Sequence, residues 1–190
     1  MSVKDFVQQR RDALIAMRRD FHMYPEPAWL EYRSAAKVAD TLISLGYDVA
    51  LGADVLDLES RMGLPSDEVM KAAMDRAIKE GANPELVEKM GYGKTAIVAT
   101  MKFGGEGPVV AFRVDMDSND VIEAKDDNHV PAKGGFRSCN DKAMHACGHD
   151  AHMTMGLGLA EYLATHKDEF KGTIKLIFQP AEEGVRGAKA

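Results

Sequence analysis

The sequence predicts an α/β fold in which a mostly parallel sheet is flanked by helices. Three observations favour this class. Two amphipathic stretches open the chain, apolar strand candidates fill its second half, and a helical pattern at 150–165 separates two of those strands. A strand, a helix and a second strand in this order are typical of a parallel α/β unit. With 190 residues, the chain is long enough for one domain with a substantial core.

The first elements are two helices and a short strand. Apolar residues at helical spacing predict a helix over 4–21, which Pro25 and Pro27 end. A second helix follows at about 28–45, and YDVAL at 47–51 is a strand candidate.

The charged, helix-like composition of residues at about 52–93 differs from that of the flanking sequence and indicates a helical insert. This stretch is charged, and Ser66 and Asn83 are possible N-cap residues for helices inside it. The charge-rich run 66–89 is most simply the solvated face of those helices.

The remaining elements are strands, a loop and the helix at 150–165. Strands at 95–103 and 108–116 flank GGEG, which is typical of a hairpin turn. The polar stretch 118–142 predicts a loop. Residues 172–180 are nearly continuously apolar, which favours a strand buried on both faces.

Composition excludes several classes of function. The net charge of −6 and the pI near 5.5 argue against nucleic-acid binding, which normally requires a basic face. No apolar run is long enough to cross a membrane, and the N-terminus lacks the apolar stretch of a signal peptide. We therefore expect a cytoplasmic protein. In a reducing compartment, Cys139 and Cys147 should not form a disulfide.

Acidic and metal-binding residue types follow the predicted strands. Ligands in open α/β sheets bind beyond the carboxyl ends of the strands, so residues at these ends should converge on one edge. The converging pairs are Asp115 and Asp117, Glu182 and Glu183, and Cys147 and His149, the last two in the loop that enters the helix at 150–165.

The run MHACGHDAH at 144–152 predicts a metal site. Cys147 and His149 are two residues apart, so in an extended loop a thiolate and an imidazole can point the same way. Together with Glu183 and an aspartate, they form a sulfur, nitrogen and oxygen set that suits Zn²⁺, whereas carboxylate-rich sets also suit Mn²⁺. Glu182 can then serve as general base. A nucleophilic Cys147 with a histidine base is the alternative.

Four motifs in one order resemble the M20 metallopeptidase family, in its amidohydrolase branch. They are RRDFHMYPEPAWLEYR (18–33), AFRVDMD (111–117), MHACGHDAH (144–152) and LIFQPAEEG (176–184). The resemblance implies two divalent metals per complete site, Mn or Zn, with Cys147, His149 and Glu183 as ligands and Glu182 as general base.

The same resemblance implies a supporting role for other site residues. The wider family has a His-x-Asp motif where this chain has Asp115-Met116-Asp117, so Asp115 and Asp117 are expected as supports around the metal ligands. From their position alone, His145 and His152 flank the ligands and are either supporting or substrate-side groups or simple polar surface residues. His152 is three residues from His149, so a helix would place both on one face.

The resemblance also implies a function and an incomplete domain. SRMGLP (60–65) and GFRSCN (135–140) resemble a subfamily that hydrolyses aroyl-glutamate and combines homologous A-type and B-type subunits. Because the family continues past the Pro-Ala-Glu-Glu-Gly motif, residues 1–190 are expected to be the N-terminal part of a catalytic domain. The remaining ligands and the lid and dimerisation domain would lie outside them. We expect an amidohydrolase of N-acyl or N-aroyl amino acids, acting as a homodimer or with a B-type subunit. The alternative is a non-catalytic metal-binding or subunit-interaction fragment.

Overall fold

The computed structural model describes residues 1–190 as a four-stranded mixed sheet with helices packed against it. The strand order is β1-β2-β4-β3, and only β3 and β4 are parallel. The strands are β1 (Asp48–Leu51), β2 (Ile97–Lys102), β3 (Val109–Asp115) and β4 (Thr173–Gln179). The helices are α1 (Val3–Met23), α2 (Tyr32–Ser44), α3 (Asp67–Lys79), α4 (Pro84–Met90), α5 (Val130–Lys133) and α6 (His149–Thr165).

The α/β class is confirmed, but the sheet is mixed rather than mostly parallel. The predicted hairpin between the second and third strands is wrong, because β4 lies between β2 and β3 and pairs with both. The last glycine of GGEG, Gly107, instead permits a close crossing of two chain segments. A Cβ on Gly107 would come within 2.8 Å of the Gly172 backbone, and Gly172 itself has φ +83.

The core lies between the sheet and two helices. α2 and α6 pack on the sheet and on each other, α1 packs on α6, and α3 and α4 pack on α2. The prediction that β4 is buried on both faces is wrong, since Lys175 is exposed and burial alternates along the strand. The buried side chains of β4 are Ile174, Leu176 and Phe178.

The helical insert consists of α3 and α4, with short 3₁₀ turns before them. Ser66 and Asn83 both occupy N-cap positions, and the Asn83 side chain accepts a hydrogen bond from the Glu85 N–H at 3.1 Å. α2 begins later than predicted, because Trp29 has φ 66, which lies outside the helical region. None of the helices combines the length and the apolar character needed to cross a bilayer.

Close packing of α6 on the sheet places the start of this helix beside two strand ends. Gly156 faces β3 and β4, and a Cβ there would lie 2.9 Å from Val114 and 3.1 Å from Phe178. The missing side chain therefore lets α6 approach the sheet closely. Since Asp115 of β3 pairs with Gln179 of β4, the carboxyl ends of both strands lie next to each other.

Candidate metal and catalytic site

Three predicted ligands lie together at this edge of the sheet. The ligand atoms of Cys147, His149 and Glu183 are all within 4.8 Å of one another. Gly148 separates the first two and has φ +112, so it makes the sharp turn from the loop into α6. Cys147 is exposed and His149 is buried. The loop, the first residue of α6 and the segment after β4 thus supply one donor each.

His149 is oriented by the backbone and surrounded by carboxylates. Its Nδ1–H donates to the main-chain carbonyl of Asp117 at 2.7 Å. Its Nε2 then lies 3.6 Å from Asp115 Oδ1, 3.6 Å from Glu182 Oε2 and 4.0 Å from Glu183 Oε1. Burial disfavours the charged ring, but hydrogen bonding to Asp117 and the charge of Asp115 outweigh it and raise the pKa of His149 to about 9.

The donor set fits a divalent metal. Glu183 Oε1 is buried and has no hydrogen-bond partner, although a carboxylate oxygen withdrawn from water requires one. It lies beside His149 Nε2, whose ring is already oriented through Nδ1, an arrangement typical of metal-bound histidines. A thiol, an imidazole and a carboxylate are the donors that Zn²⁺ accepts. Burial and the charge of Glu183 raise the pKa of the Cys147 thiol, so a cation is needed to stabilise its thiolate.

A second possible ligand group shares His149. The ligand atoms of Asp115, His149 and His152 also lie within 4.8 Å of one another. His152 Nδ1 is 2.5 Å from Asp115 Oδ1, and the other Asp115 oxygen accepts from Arg113. The rings of His149 and His152 stack with centroids 5.5 Å apart, as their spacing on a helix predicts. Burial opposes ionisation of Asp115, but His152 and His149 hold its pKa below the usual value.

Asp117 supports the segment that carries both predicted glutamates. Its Oδ1 accepts the Glu182 N–H at 3.0 Å, and its Oδ2 accepts the Glu183 N–H at 2.9 Å. Asp117 is fully buried, while the Glu182 side chain is 36% exposed and lies 3.6 Å from His149 Nε2. This buried aspartate therefore bonds to the backbone of the segment rather than to its side chains, and so fixes the path of the chain at Glu182 and Glu183.

His145 lies apart from both ligand groups. It is buried, and neither ring nitrogen has a hydrogen-bond partner. Burial lowers the pKa of His145 to about 4, so the ring is neutral at pH 7. His145 belongs to neither group of possible metal ligands, and its ring makes no hydrogen bond to any member of them.

Comparison with known proteins shows what the chain is similar to. The model of peptidase family M20/M25/M40 matches residues 111–190, which contain all of the site residues described above. The match extends over the whole chain in a curated relative, since the A subunit of p-aminobenzoyl-glutamate hydrolase from Escherichia coli K12 is 49% identical over 189 residues. The chain is therefore similar to peptidase family M20/M25/M40 over residues 111–190 and to this relative over its whole length.

A second relative has a different named substrate. Indole-3-acetyl-aspartic acid hydrolase of Enterobacter agglomerans is 48% identical to this chain over 188 residues. The alignments cover 99% to 100% of this chain and 43% of each relative, so the chain spans less than half the length of these two proteins.

Solved structures of M20 proteins share the fold. The aminobenzoyl-glutamate utilization protein from Klebsiella pneumoniae matches 100% of this chain and 41% of its own, with a TM-score of 0.80 and 41% identity. A Bacillus subtilis protein described as a dinuclear metal binding peptidase of the M20 family matches 97% of this chain and 38% of its own. Its TM-score is 0.63 and its identity is 29%.

Two supports of the ligand loop were not predicted from the sequence. Asn119 Oδ1 accepts the backbone N–H groups of Ala146 and Cys147, both at 3.1 Å. Behind the loop, His22 lies between Asp150, at 2.8 Å, and a second buried carboxylate, Glu123, at 2.9 Å. The M20-like motif at 18–33 contains His22, but no spacing pairs it with Asp150. For Asn119 the sequence carries no signal.

Proposed function

We propose that this chain carries part of the active site of a metal-dependent amidohydrolase, as the N-terminal part of its catalytic domain. The observation that supports this most is the set of Cys147, His149 and Glu183 ligand atoms within 4.8 Å of one another. A further carboxylate, that of Glu182, lies 3.6 Å from His149 Nε2, where it can act on a reactant beside the metal. Zn²⁺ or Mn²⁺ would be held by these three ligands, and Asp115 with His152 offers donors for a second ion.

The proposed substrates are N-acyl or N-aroyl amino acids, with p-aminobenzoyl-glutamate as the first compound to test. The two relatives are named for an aroyl-glutamate and an indole-acetyl-aspartate. Both compounds join an aromatic acyl group to an acidic amino acid through an amide bond. The proposed reaction is hydrolysis of that bond to a carboxylic acid and a free amine.

In this mechanism Glu182 moves the proton. When bound, the metal supplies Lewis acidity toward the scissile carbonyl and toward the attacking water. The Glu182 carboxylate accepts a proton from water as the water oxygen bonds to the carbonyl carbon. It then donates that proton to the amine nitrogen as the C–N bond breaks. Asp117 keeps Glu182 in place through the backbone N–H during both transfers.

The proposed assembly and compartment follow from less direct observations. One relative is named as the A-type part of its enzyme, which supports a homologous B-type subunit or a second copy of the chain as partner. Both cysteines are free thiols, as a reducing compartment such as the cytoplasm would keep them.

The test measures metal uptake and release of p-aminobenzoate separately. The chain, alone and with a B-type subunit, is loaded with Mn²⁺ or Zn²⁺ and compared with Glu182→Gln. We expect equal metal uptake in both proteins and hydrolysis only with Glu182. Full activity of Glu182→Gln would exclude Glu182 as the base. Activity that survives chelators but is lost on alkylation would instead indicate a nucleophilic Cys147.

A second candidate function is a non-catalytic metal-binding or subunit-interaction module. The observation that favours it is the exposed apolar side chains of the edge strand β3, Val109, Val110 and Phe112, which a partner subunit could cover. This alternative predicts metal uptake without turnover by the chain itself, and recovery of activity only when a partner subunit is added. Turnover by the chain alone would exclude it.

A further inference from the structure

Glu31 is a fully buried carboxylate that contacts the segment carrying Glu182 and Glu183. It lies at the N-cap of α2, 150 residues away in sequence from that segment. Its Oε1 accepts the N–H of Ala181 at 2.8 Å and the N–H of Trp29 at 3.0 Å. Its Oε2 accepts the hydroxyl of Thr95 at 2.6 Å. Both oxygens are therefore satisfied, and one of them joins α2 to the loop after β4.

The two residues that donate to Glu31 Oε1 share an unusual backbone conformation. Trp29 has φ 66 and Ala181 has φ 53, and only one other non-glycine residue in the chain, Val185, has a positive φ. Residues with a Cβ rarely adopt this region and keep it only where surrounding contacts enforce it. A single buried oxygen thus holds two strained residues, and one of them immediately precedes Glu182.

Two buried carboxylates divide the support of this segment. Three successive N–H groups, those of residues 181–183, donate to carboxylate oxygens. Glu31 accepts the first, and Asp117 accepts the other two. Asp117 alone would fix the spacing of Glu182 and Glu183 but would leave the Ala181 N–H without an acceptor, since the Arg186 and Gly187 N–H groups bond only to the Ala181 carbonyl.

We propose that Glu31 is the positioning residue that holds Ala181 in its left-handed conformation and so directs Glu182 and Glu183 toward His149. The inference rests on the proposed function, in which these two glutamates are the base and a metal ligand. Burial and the charge of Asp117 raise the pKa of Glu31 to about 8, so a neutral amide is a close substitute for this side chain.

The test compares Glu31→Ala and Glu31→Gln with Glu26→Ala. Glu26 is a matched control, because it is equally buried and its oxygens accept the N–H groups of Arg33 and Ser34 at the start of the same helix. None of its hydrogen bonds reaches 181–183. The readouts are amide hydrogen exchange of 181–183 in the metal-free chain and Zn²⁺ affinity by calorimetry.

We expect Glu31→Ala to accelerate exchange at 181–183 and to weaken Zn²⁺ binding by about 10- to 100-fold, as loss of a group that orients ligands does. Glu31→Gln should stay within about threefold of the parent, since its amide oxygen can accept both N–H groups. Glu26→Ala should lower stability without changing either readout. If Glu31→Ala does not fold, Glu31→Asp takes its place, because its shorter side chain no longer reaches Ala181.

Unchanged exchange and affinity in Glu31→Ala or Glu31→Asp would overturn the proposal, and so would an equal loss of affinity in Glu26→Ala. Failure of the proposed function gives a different result. The parent chain would then bind no metal or would bind it without turnover, while hydrogen exchange in the metal-free proteins would still decide whether Glu31 holds the loop.

Discussion

Two buried histidines four residues apart, His149 and His145, have opposite protonation behaviour. Burial disfavours the charged ring of both. Around His149, however, Asp115 and Asp117 reverse the effect and raise its pKa to about 9, whereas nothing bonds to His145 and its pKa falls to about 4. The difference teaches that neighbouring carboxylates, rather than burial, distinguish the proposed ligand His149 from His145 in this loop. Asp115 and Asp117 lie together beside His149, where a bound cation would offset the repulsion between their charges.

Replacing each histidine gives the largest expected contrast. His149→Gln should weaken Zn²⁺ binding by at least about 100-fold, since a full zinc site is worth about 10–16 kcal/mol shared among about four ligands. His145→Gln should stay within about threefold, because His145 belongs to neither ligand group. Calorimetric titration of both variants measures this contrast. Equal losses would remove the distinction between the two histidines.

The pH dependence of metal binding sharpens the comparison further. His149 must lose its proton to bind a metal, and with a pKa of about 9 it carries that proton at pH 7. Zn²⁺ affinity should therefore fall about tenfold for each pH unit below 9, and more steeply if the Cys147 thiol also releases a proton. Calorimetry in buffers of different ionisation enthalpy counts the released protons. An affinity that is constant between pH 6 and 9 would show that His149 is already neutral.

The acid stability of the chain should depend on His145. Its pKa is lowered from 6.5 to about 4, so the unfolded chain takes up a proton at a higher pH than the folded chain. The corresponding stability is complete above pH 6.5 and is lost as the pH falls toward 4, a difference of about 3 kcal/mol. His149 contributes with the opposite sign, because its raised pKa stabilises the metal-free fold below pH 6.5 and that stability is lost as the pH rises through about 9.

Urea unfolding between pH 7 and pH 4 tests this difference. The free energy of unfolding of His145→Leu should fall by about 3 kcal/mol less than that of the parent over this range. Asn128→Ala, an exposed loop substitution without an ionisable group, is the control and should follow the parent. If His145→Leu loses as much stability as the parent, His145 takes up its proton in the folded chain as readily as in the unfolded one.

Much of the site could be predicted from the sequence, because its signals are local or depend on simple sheet geometry. Cys147 and His149 are two residues apart, and His149 and His152 are one helical turn apart. The acidic pairs follow β3 and β4, and parallel strands bring their carboxyl ends together. These relations require only periodicity and strand direction.

The rest depends on contacts between distant residues, which no local pattern encodes. The GGEG turn suggested a hairpin between β2 and β3. That prediction fails because β4, about 70 residues later in the chain, lies between these two strands and pairs with both. In the sequence, Glu31 resembles an ordinary helix-start glutamate and Asn119 an ordinary loop residue. Only the folded chain brings them to Ala181 and Cys147. The supports of the candidate site are therefore harder to predict than its proposed ligands.

The smallest expected effect concerns Asn119, which holds the loop between the two histidines. Its side chain accepts from the N–H groups of Ala146 and Cys147, and its backbone pairs with Met144. Asn119→Ala should cost about 1–2 kcal/mol of stability, because two N–H groups lose an acceptor, and should weaken Zn²⁺ binding by about tenfold. Asn128→Ala, an exposed loop substitution, is the control for urea unfolding and calorimetry.

The response of the two histidines to Asn119→Ala should differ. Cys147 and His149 lose alignment when the loop loosens, so the metal affinity falls. His145 stays in its buried position, so the dependence of stability on pH between 7 and 4 should match that of the parent. A variant that changes the acid dependence and keeps the Zn²⁺ affinity would show that Asn119 supports His145 rather than the ligands. The main role of the loop would then be to position His145, and the proposed metal ligands would be held in place by α6 and the segment after β4.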